Sequence, residues 1–391
     1  MQESMSPEDE HHKVAFVIHT ISSDTEGTQK QLLSTILKLK ETSFRPLLVV
    51  LRSSPWLDRN DIGCPVVDLK FDGFIGPSIF STIQRLTTVW RENGVDIVHA
   101  YFAESIILCF LSSFLENKPR LFSARRDIGL GKKNAPWYHT LYDLVMPVVN
   151  TRYVAVIANS ESVKSHTIAK ERLNKKKCHV IPNGVSLPQQ ETSYTNPTIS
   201  KELLQGNDST VNFCIVASLT PVKRHDLLIS AFAAANNSGM GKDIKLWILG
   251  DGPLRSEMEE RARGLGLRET VSFVGAVTNV VDWLRTMHVG ILCSDREGLS
   301  NAIMEYMSAG LPTIATNVGG NPELLSDGRG VLIPAGDESA LEKAIVALSS
   351  DPDLRQSIGT NSKQFVEKNF SWESNIESLT HLYRSAIQGQ I

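Results

Sequence analysis

VAFVIHTISSDTEGTQKQLLSTILKLKETSFRPLLVVL, residues 14–51, sets the fold class. Val14 to Ile21 is an apolar, β-rich run without alternation, the pattern of a strand buried on both faces. A polar loop, SSDTEGT, follows, and then Leu32, Leu33, Ile36, Leu37 and Leu39 recur at helical spacing between Gln29 and Lys40. Pro46 to Leu51 reads as a second buried strand. Strand, loop, helix, strand is a parallel β-α-β unit, because parallel neighbours in one sheet need a crossover connection.

The same rhythm continues outward through VDIVHAY, a helix near 103–115, RLFSAR, an apolar helix near 136–149, YVAVIANS and CHVIPNGV. A polar stretch from Ser186 to Thr210 interrupts it and reads as a linker. Alternation then restarts with VNFCIVASL and a helix near 224–236, IKLWILG and a helix near 253–264, and VSFVGA with a helix near 279–286. HVGILCS, a helix near 301–309, PTIAT and GVLIP complete it. The expected architecture is α/β: two Rossmann-like parallel-sheet domains, 14–185 and 211–371, facing each other across a cleft. Residues 1–13 are expected to be a disordered lead-in. In open parallel sheets, ligands bind beyond the C-terminal ends of the strands.

The chain is 41% hydrophobic and 21% charged with a formal charge of −3, which excludes disorder and coiled coil as the main architecture and argues against a nucleic-acid binder. The charge is uneven. Lys118 to Lys177 holds 13 Lys or Arg against 4 Asp or Glu, leaving −12 for the remainder. That basic stretch is either a solvated surface or a peripheral contact with an anionic membrane leaflet, aided by the aromatics of PWYHTLY. No apolar run reaches the ~18 residues of a membrane span, and the acidic start, MQESMSPEDEHHK, lacks the apolar core of a secretion signal. Cys64, Cys109, Cys178, Cys214 and Cys293 are scattered, with no CxxC or Cys/His cluster, so neither zinc nor disulfides are expected. A reduced, cytoplasmic compartment follows.

The chemistry concentrates in SDREGLSNAIMEYMSAGLPTIAT, residues 294–316. Glu297 falls in the loop after a strand, and Glu305 on the helix that follows. Gly298, Leu299 and Ser300 fall at that helix's N-terminus, where free backbone N–H groups suit phosphate or sugar hydroxyls. Glu305 lies in the apolar run AIMEYM, where a carboxylate needs a partner. Lys223, in VASLTPVKRHDLL, follows another strand and suits a diphosphate as a point charge. The turn at Gly250 and Asp251 opens a helix with Pro253 at its first position. Gly275 ends a strand where a flat base could approach the backbone.

These residues resemble the retaining glycosyltransferases of family 4, which have the GT-B fold: the Glu297/Glu305 pair, the upstream lysine, the GDGP turn, FVG, VGGNPELL and IPNGV. The match runs from Val14 to the final helix and is densest from Val216 to Pro334. NFSWESNIESL resembles the segment by which the family's last helix, here 372–391, crosses back onto the first domain. The resemblance implies transfer of a hexose-type sugar from a UDP- or GDP-linked donor to a hydroxyl acceptor, without metal or other cofactor. The acceptor it implies is a glycan or lipid-linked glycan in surface polysaccharide synthesis. Glu305 would hold the donor ribose, Glu297 the reacting sugar, and the amides of 298–300 the sugar hydroxyls or phosphate. Lys223 would neutralise the leaving diphosphate.

Three positions depart from the family. Ala217-Ser218-Leu219 replaces the arginine-bearing triplet, so Ser218 stands where a cation is usual and Arg224 is the candidate substitute. In the first domain the glycine pair is half present, as Gly27 followed by Thr28, and DIVHAY keeps His99 but has Tyr101 in place of a second histidine. His99 is a candidate catalytic residue or a strand-end histidine bonded to backbone; Arg125 and Arg126, in SARRD, could face the cleft on the acceptor or phosphate side. Asp351-Pro352-Asp353 looks like a metal triplet but lies between helices, where capping accounts for it. Rival readings are a non-catalytic nucleotide-sugar-binding subunit, a GT-B epimerase and a phosphorylase.

Overall fold

The computed structural model describes residues 11–74, 78–127, 137–186, 210–239 and 243–391. The chain divides into two compact units: residues up to Gly184 together with Trp372–Ile391, and Val185–Ser371.

The first unit is built on seven parallel strands: β1 (His12–Ile18), β2 (Phe44–Val50), β3 (Val66–Asp68), β4 (Ile97–Tyr101), β5 (Arg120–Arg125), β6 (Ala155–Ala158) and β7 (Cys178–Val180). Their order is β3-β2-β1-β4-β5-β6-β7. Because successive side chains point to opposite faces, β1 feeds two cores. Val14, Phe16 and Ile18 pack with Leu32, Ile36 and Leu39 of the helix Gly27–Leu39 and with Tyr383 of the C-terminal helix Trp372–Ile387. Ala15 and Val17 pack on the other face with Leu86 and Trp90 of the helix Ser78–Asn93 and with Ile106 and Cys109 of Phe102–Ser112. Burial on both faces is why these strands read as unbroken apolar runs. The C-terminal helix is fixed by close fit as well as area. A Cβ at Gly184 would lie 2.4 Å from the Trp372 indole, so only glycine lets that ring sit there.

The second unit repeats the plan with six strands: β8 (Val211–Val216), β9 (Ile244–Leu249), β10 (Val271–Gly275), β11 (Val289–Leu292), β12 (Thr313–Thr316) and β13 (Val331–Ile333). Their order is β10-β9-β8-β11-β12-β13, and every pairing is parallel. Phe213, Ile215 and Phe232 sit at the centre of its core, each fully buried.

Several elements differ from the expectation. β1 starts at His12, before Val14, because His12 N donates to Ser43 O (3.0 Å) and Lys13 N to Asp96 Oδ2 (3.0 Å). The region between Leu51 and Val95, read without elements, holds β3 and the helix Ser78–Asn93. The strand at CHVIPNGV ends at Val180, since Pro182 has no N–H to continue the ladder. The helix after GDGP begins at Arg255, leaving Pro253 in the turn before it. The helix near 103–115 ends at Ser112 and that near 279–286 spans Val280–Leu284. Asp351 caps the helix Pro352–Asn369, its Oδ1 accepting from Leu354 N at 2.9 Å, as capping requires. Most of the linker (187–209) and of the loop 128–136 lies outside the described residues, as do the side chains of 137–141.

Candidate functional site

Each sheet reverses its winding once, between β1 and β4 and between β8 and β11, and loops leaving the two strands at such a point diverge to opposite faces. In the second unit those loops carry the charged residues of the motif. The loop after β8 enters a short 3-10 turn, Pro221–Lys223, and then the helix His225–Asn237; the loop after β11 leads through Glu297 to the helix Asn301–Ser308.

Lys223 Nζ lies 2.6 Å from Glu297 Oε1, with the lysine side chain 23% and the glutamate 11% exposed. The two loops are tied together at three further places. Asp295 N donates to Val222 O (2.9 Å), Arg224 Nη1 to Asp295 Oδ1 (3.1 Å), and the buried Cys293 thiol donates to the carbonyls of Lys223 and Arg224. Burial pushes that thiol up to about 12, so it stays a protonated donor. Arg224 itself has φ +50° and also grips Asp226 through Nε and Nη2. Its guanidinium is therefore committed to two carboxylates. Those contacts brace the loop that holds Lys223, beside the position expected to need a cation in place of Ser218. Ser218 is exposed at the end of β8.

Backbone approaches are tight around Glu297. Gly319 (φ +54°) passes so close that a Cβ there would lie 1.9 Å from Glu297 O, and Gly320 N donates to Gly298 O at 2.7 Å. Ser300 caps the helix, its hydroxyl accepting from Ile303 N, and the Leu299 side chain is buried in the core. Glu305 is half-buried on that helix between the buried Met304 and Tyr306. On the other side of β8, Gly250 N donates to Gly275 O (2.8 Å), and Leu219 N to Asp251 O (3.0 Å). At Gly250 (φ +155°) a Cβ would lie 2.0 Å from Ala217 O. The turn thus clamps the segment leading to Lys223.

The first unit sorts its predicted residues differently. Gly27 and Thr28 start the helix after β1. His99 is 1% exposed, and its Nδ1 meets the Tyr383 hydroxyl at 2.6 Å, ringed by Phe16, Tyr101 and Phe122. Burial, with Arg126 adding to it, holds its pKa well below the ordinary imidazole range. That is a packed, neutral histidine bonded to a side chain, which corrects the backbone-bonded alternative. Arg125 is corrected likewise: its Nε and Nη2 each donate to Glu171 at 2.8 Å and Nη2 also to Asn150, both partners of the ion pair being 11% exposed. Burial alone would raise the Glu171 carboxyl, but the charge and hydrogen bonds of Arg125 hold it below its usual range. Arg126 instead bonds Asn183 (2.8 Å) and the hydroxyl of Tyr101 (3.3 Å).

Asp295, His225, Asn159 and Asn183 join these constellations without having been singled out by sequence. For Asp295 the signal was its place in SDREG; for the others spacing offers none.

Two doubly wound sheets, the second carrying Lys223 and Glu297 on its switch-point loops, define a two-domain α/β protein of the GT-B class. Its first region, residues 27–189, matches the model for Glycosyltransferase Family 4, and its second, residues 198–365, that for Glycosyl transferases group 1. The chain belongs to glycosyltransferase family 4. Over 255 residues it is 29% identical to the Vi polysaccharide biosynthesis protein VipC/TviE of Salmonella typhi, covering 63% of this chain and 43% of that protein. It is 27% identical over 174 residues to N-acetyl-alpha-D-glucosaminyl L-malate synthase of Bacillus anthracis, covering 44% and 45%. The chain thus matches about half the length of these relatives or less. HepE of Anabaena, solved in complex with UDP-glucose, superposes with a TM-score of 0.80 over 96% of this chain and all of its own, at 20% identity.

Proposed function

We propose that this protein is a retaining, metal-independent glycosyltransferase that moves a hexose-type sugar from a UDP- or GDP-linked donor to a hydroxyl acceptor. The acceptor belongs to a surface polysaccharide or lipid-linked glycan, and the enzyme works in the cytoplasm, touching the inner membrane leaflet through its basic stretch. The observation that carries the reading is the Lys223–Glu297 pair at 2.6 Å on the two loops flanking the switch point of the second sheet. Without donor, each charge is balanced by the other. A diphosphate carries more negative charge than one carboxylate, so it takes Lys223 as its partner. Glu297 is then released to accept hydrogen bonds from the sugar ring, while Glu305 holds the ribose. Lys223 and the amides of 298–300 are fixed before reaction, so they stabilise charge developing on the leaving diphosphate without reorganising. Relatives named for polysaccharide synthesis and a structural neighbour solved with UDP-glucose support the class of donor and product.

A second reading, a non-catalytic nucleotide-sugar-binding subunit, is favoured by one observation: Ser218 stands in place of a cation, and Arg224 nearby is engaged by Asp226 and Asp295. Incubation with a panel of UDP-, GDP- and ADP-sugars, following release of nucleoside diphosphate, separates the two. Release that is lost in Glu297→Ala and Lys223→Ala supports transfer. Binding without release on any acceptor supports the second reading, and variants equal to wild type overturn the site.

A further inference from the structure

Arg125 and Arg126 are neighbours with opposite surroundings. Arg125 has a carboxylate, Glu171, in bidentate contact. Arg126 has neutral partners only: Nη1 donates to Asn183 Oδ1, Nη2 to the Tyr101 hydroxyl, and the guanidinium carbon lies 5.4 Å from the centre of the Tyr101 ring. Its Nε is buried without an acceptor, and no carboxylate among the described residues pairs with it. Two more buried polar atoms stand unpaired in the same neighbourhood. Asn159, 2% exposed, donates Nδ2 to the Arg126 carbonyl while its Oδ1 has no partner. His99 leaves Nε2 unpartnered, its ring 4.8 Å from that of Tyr101.

All of these residues sit at one edge. Tyr101 ends β4, Arg126 follows β5, Asn159 follows β6 and Asn183 lies three residues past β7, so the cluster occupies the C-terminal edge of the first sheet, where open α/β sheets bind ligands. A half-buried charge without a counter-charge costs free energy, and the unpaired, buried Nε–H of Arg126 adds to that cost. The cost is recovered when a ligand brings the missing charge. A guanidinium has five N–H donors, of which the described contacts use two, and the remaining ones match the paired oxygens of a carboxylate or phosphate.

We infer that Arg126, positioned by Tyr101 and Asn183, is the binding site for an oxyanion, carboxylate or phosphate, carried by the acceptor. The word acceptor rests on the transferase reading; the anion site itself does not.

Calorimetric titration of the whole protein with methyl glucuronide, glycerol phosphate and the neutral methyl glucoside tests this, with UDP and GDP titrated in parallel. One of the two anions is expected to bind wild type and methyl glucoside not. Arg126→Gln is expected to weaken that anion by about tenfold or more, Tyr101→Phe by severalfold, and Arg126→Lys less than Arg126→Gln, with UDP or GDP affinity unchanged throughout. Carboxylate binding assigns an acidic sugar, phosphate binding a phosphate ester. Because the unliganded charge is uncompensated, Arg126→Gln is also expected to melt no lower than wild type, which a merely structural arginine would not allow. Wild type that takes UDP or GDP but neither anion, or equal anion binding by wild type and Arg126→Gln, overturns the anion site. Wild type that takes the anion but no nucleoside diphosphate overturns the transferase reading and leaves the anion site standing.

Discussion

Lys223 Nζ and Glu297 Oε1 meet at 2.6 Å although 74 residues separate them, because β8 and β11 are hydrogen-bonded neighbours and their loops leave the same edge of the sheet. Such a pair is neither an exposed ion pair of negligible worth nor a sealed one. Under the proposed function it exchanges partners when the donor diphosphate binds.

Exchange makes the two residues separable. Lys223→Ala removes the cation that the diphosphate needs, so UDP binding is expected to weaken about tenfold or more. Glu297→Gln removes the competitor for Lys223, so UDP is expected to bind as tightly as wild type or more tightly, while transfer falls by about 10²-fold. Calorimetry and nucleotide-release kinetics on the same preparations check both. Weaker UDP binding in Glu297→Gln would contradict partner exchange.

Arg224 is strained and anchored at once. A side chain in the left-handed region costs about 1–2 kcal/mol, offset by contacts to Asp226 and Asp295, which are solvent-accessible and together contribute about the same. Arg224→Gly loses both terms and is expected to stay within about 1 kcal/mol of wild type, with Arg224→Ala about 1 kcal/mol below the glycine variant. Denaturant midpoints measure this. UDP affinity should change far less than in Lys223→Ala; an equal loss would return Arg224 to the diphosphate.

The strands were legible because parallel strands buried on both faces are continuous apolar runs, as in VAFVI and VNFCIV. β3 was not, being three residues long with Val66 exposed. Nor was the helix Ser78–Asn93, whose buried stripe mixes Thr82 and Thr87 with Leu86 and Trp90 and so dilutes the hydrophobic period. Within the site, Lys223 and Glu297 could be picked out because each follows an apolar strand. What spacing could not supply was pairing: Arg224 with Asp295 across 71 residues, Arg125 with Glu171 across 46, His99 with Tyr383 across 284. Those contacts depend on sheet order, and sheet order is a property of the folded unit.

The Arg125–Glu171 pair makes a prediction of its own. Glu171→Ala leaves a guanidinium at 11% exposure with Asn150 and the Ala124 carbonyl, both neutral, as partners and no counter-charge, and is expected to cost about 3–5 kcal/mol. Replacing both partners with apolar residues of similar volume should cost much less, since no orphaned charge remains. A double-mutant cycle by chemical denaturation reads the coupling; additive losses would show that the pair does not act as a unit. Lys164–Glu161, an exposed pair, serves as the control with little effect.

His225 gives the protein an acid limit. It is 2% exposed at the start of the helix His225–Asn237 with both ring nitrogens unpaired, and burial, then the charge of Lys223, pushes its pKa down to about 4 against the opposing pull of Asp226. The unfolded chain takes up this proton near the ordinary value of about 6.5, and the folded protein resists it. The stability from keeping the ring neutral is therefore complete above pH ~6.5 and is lost as pH falls from there toward 4. A difference of that size corresponds to a contribution on the order of 3 kcal/mol. His99, depressed by burial and then by Arg126, acts in the same direction. His225→Gln cannot take up the proton, so its melting temperature should fall less than that of wild type between pH 7 and pH 4.5. Parallel melting curves for the two proteins across that range would mean that His225 is not the group that titrates on unfolding.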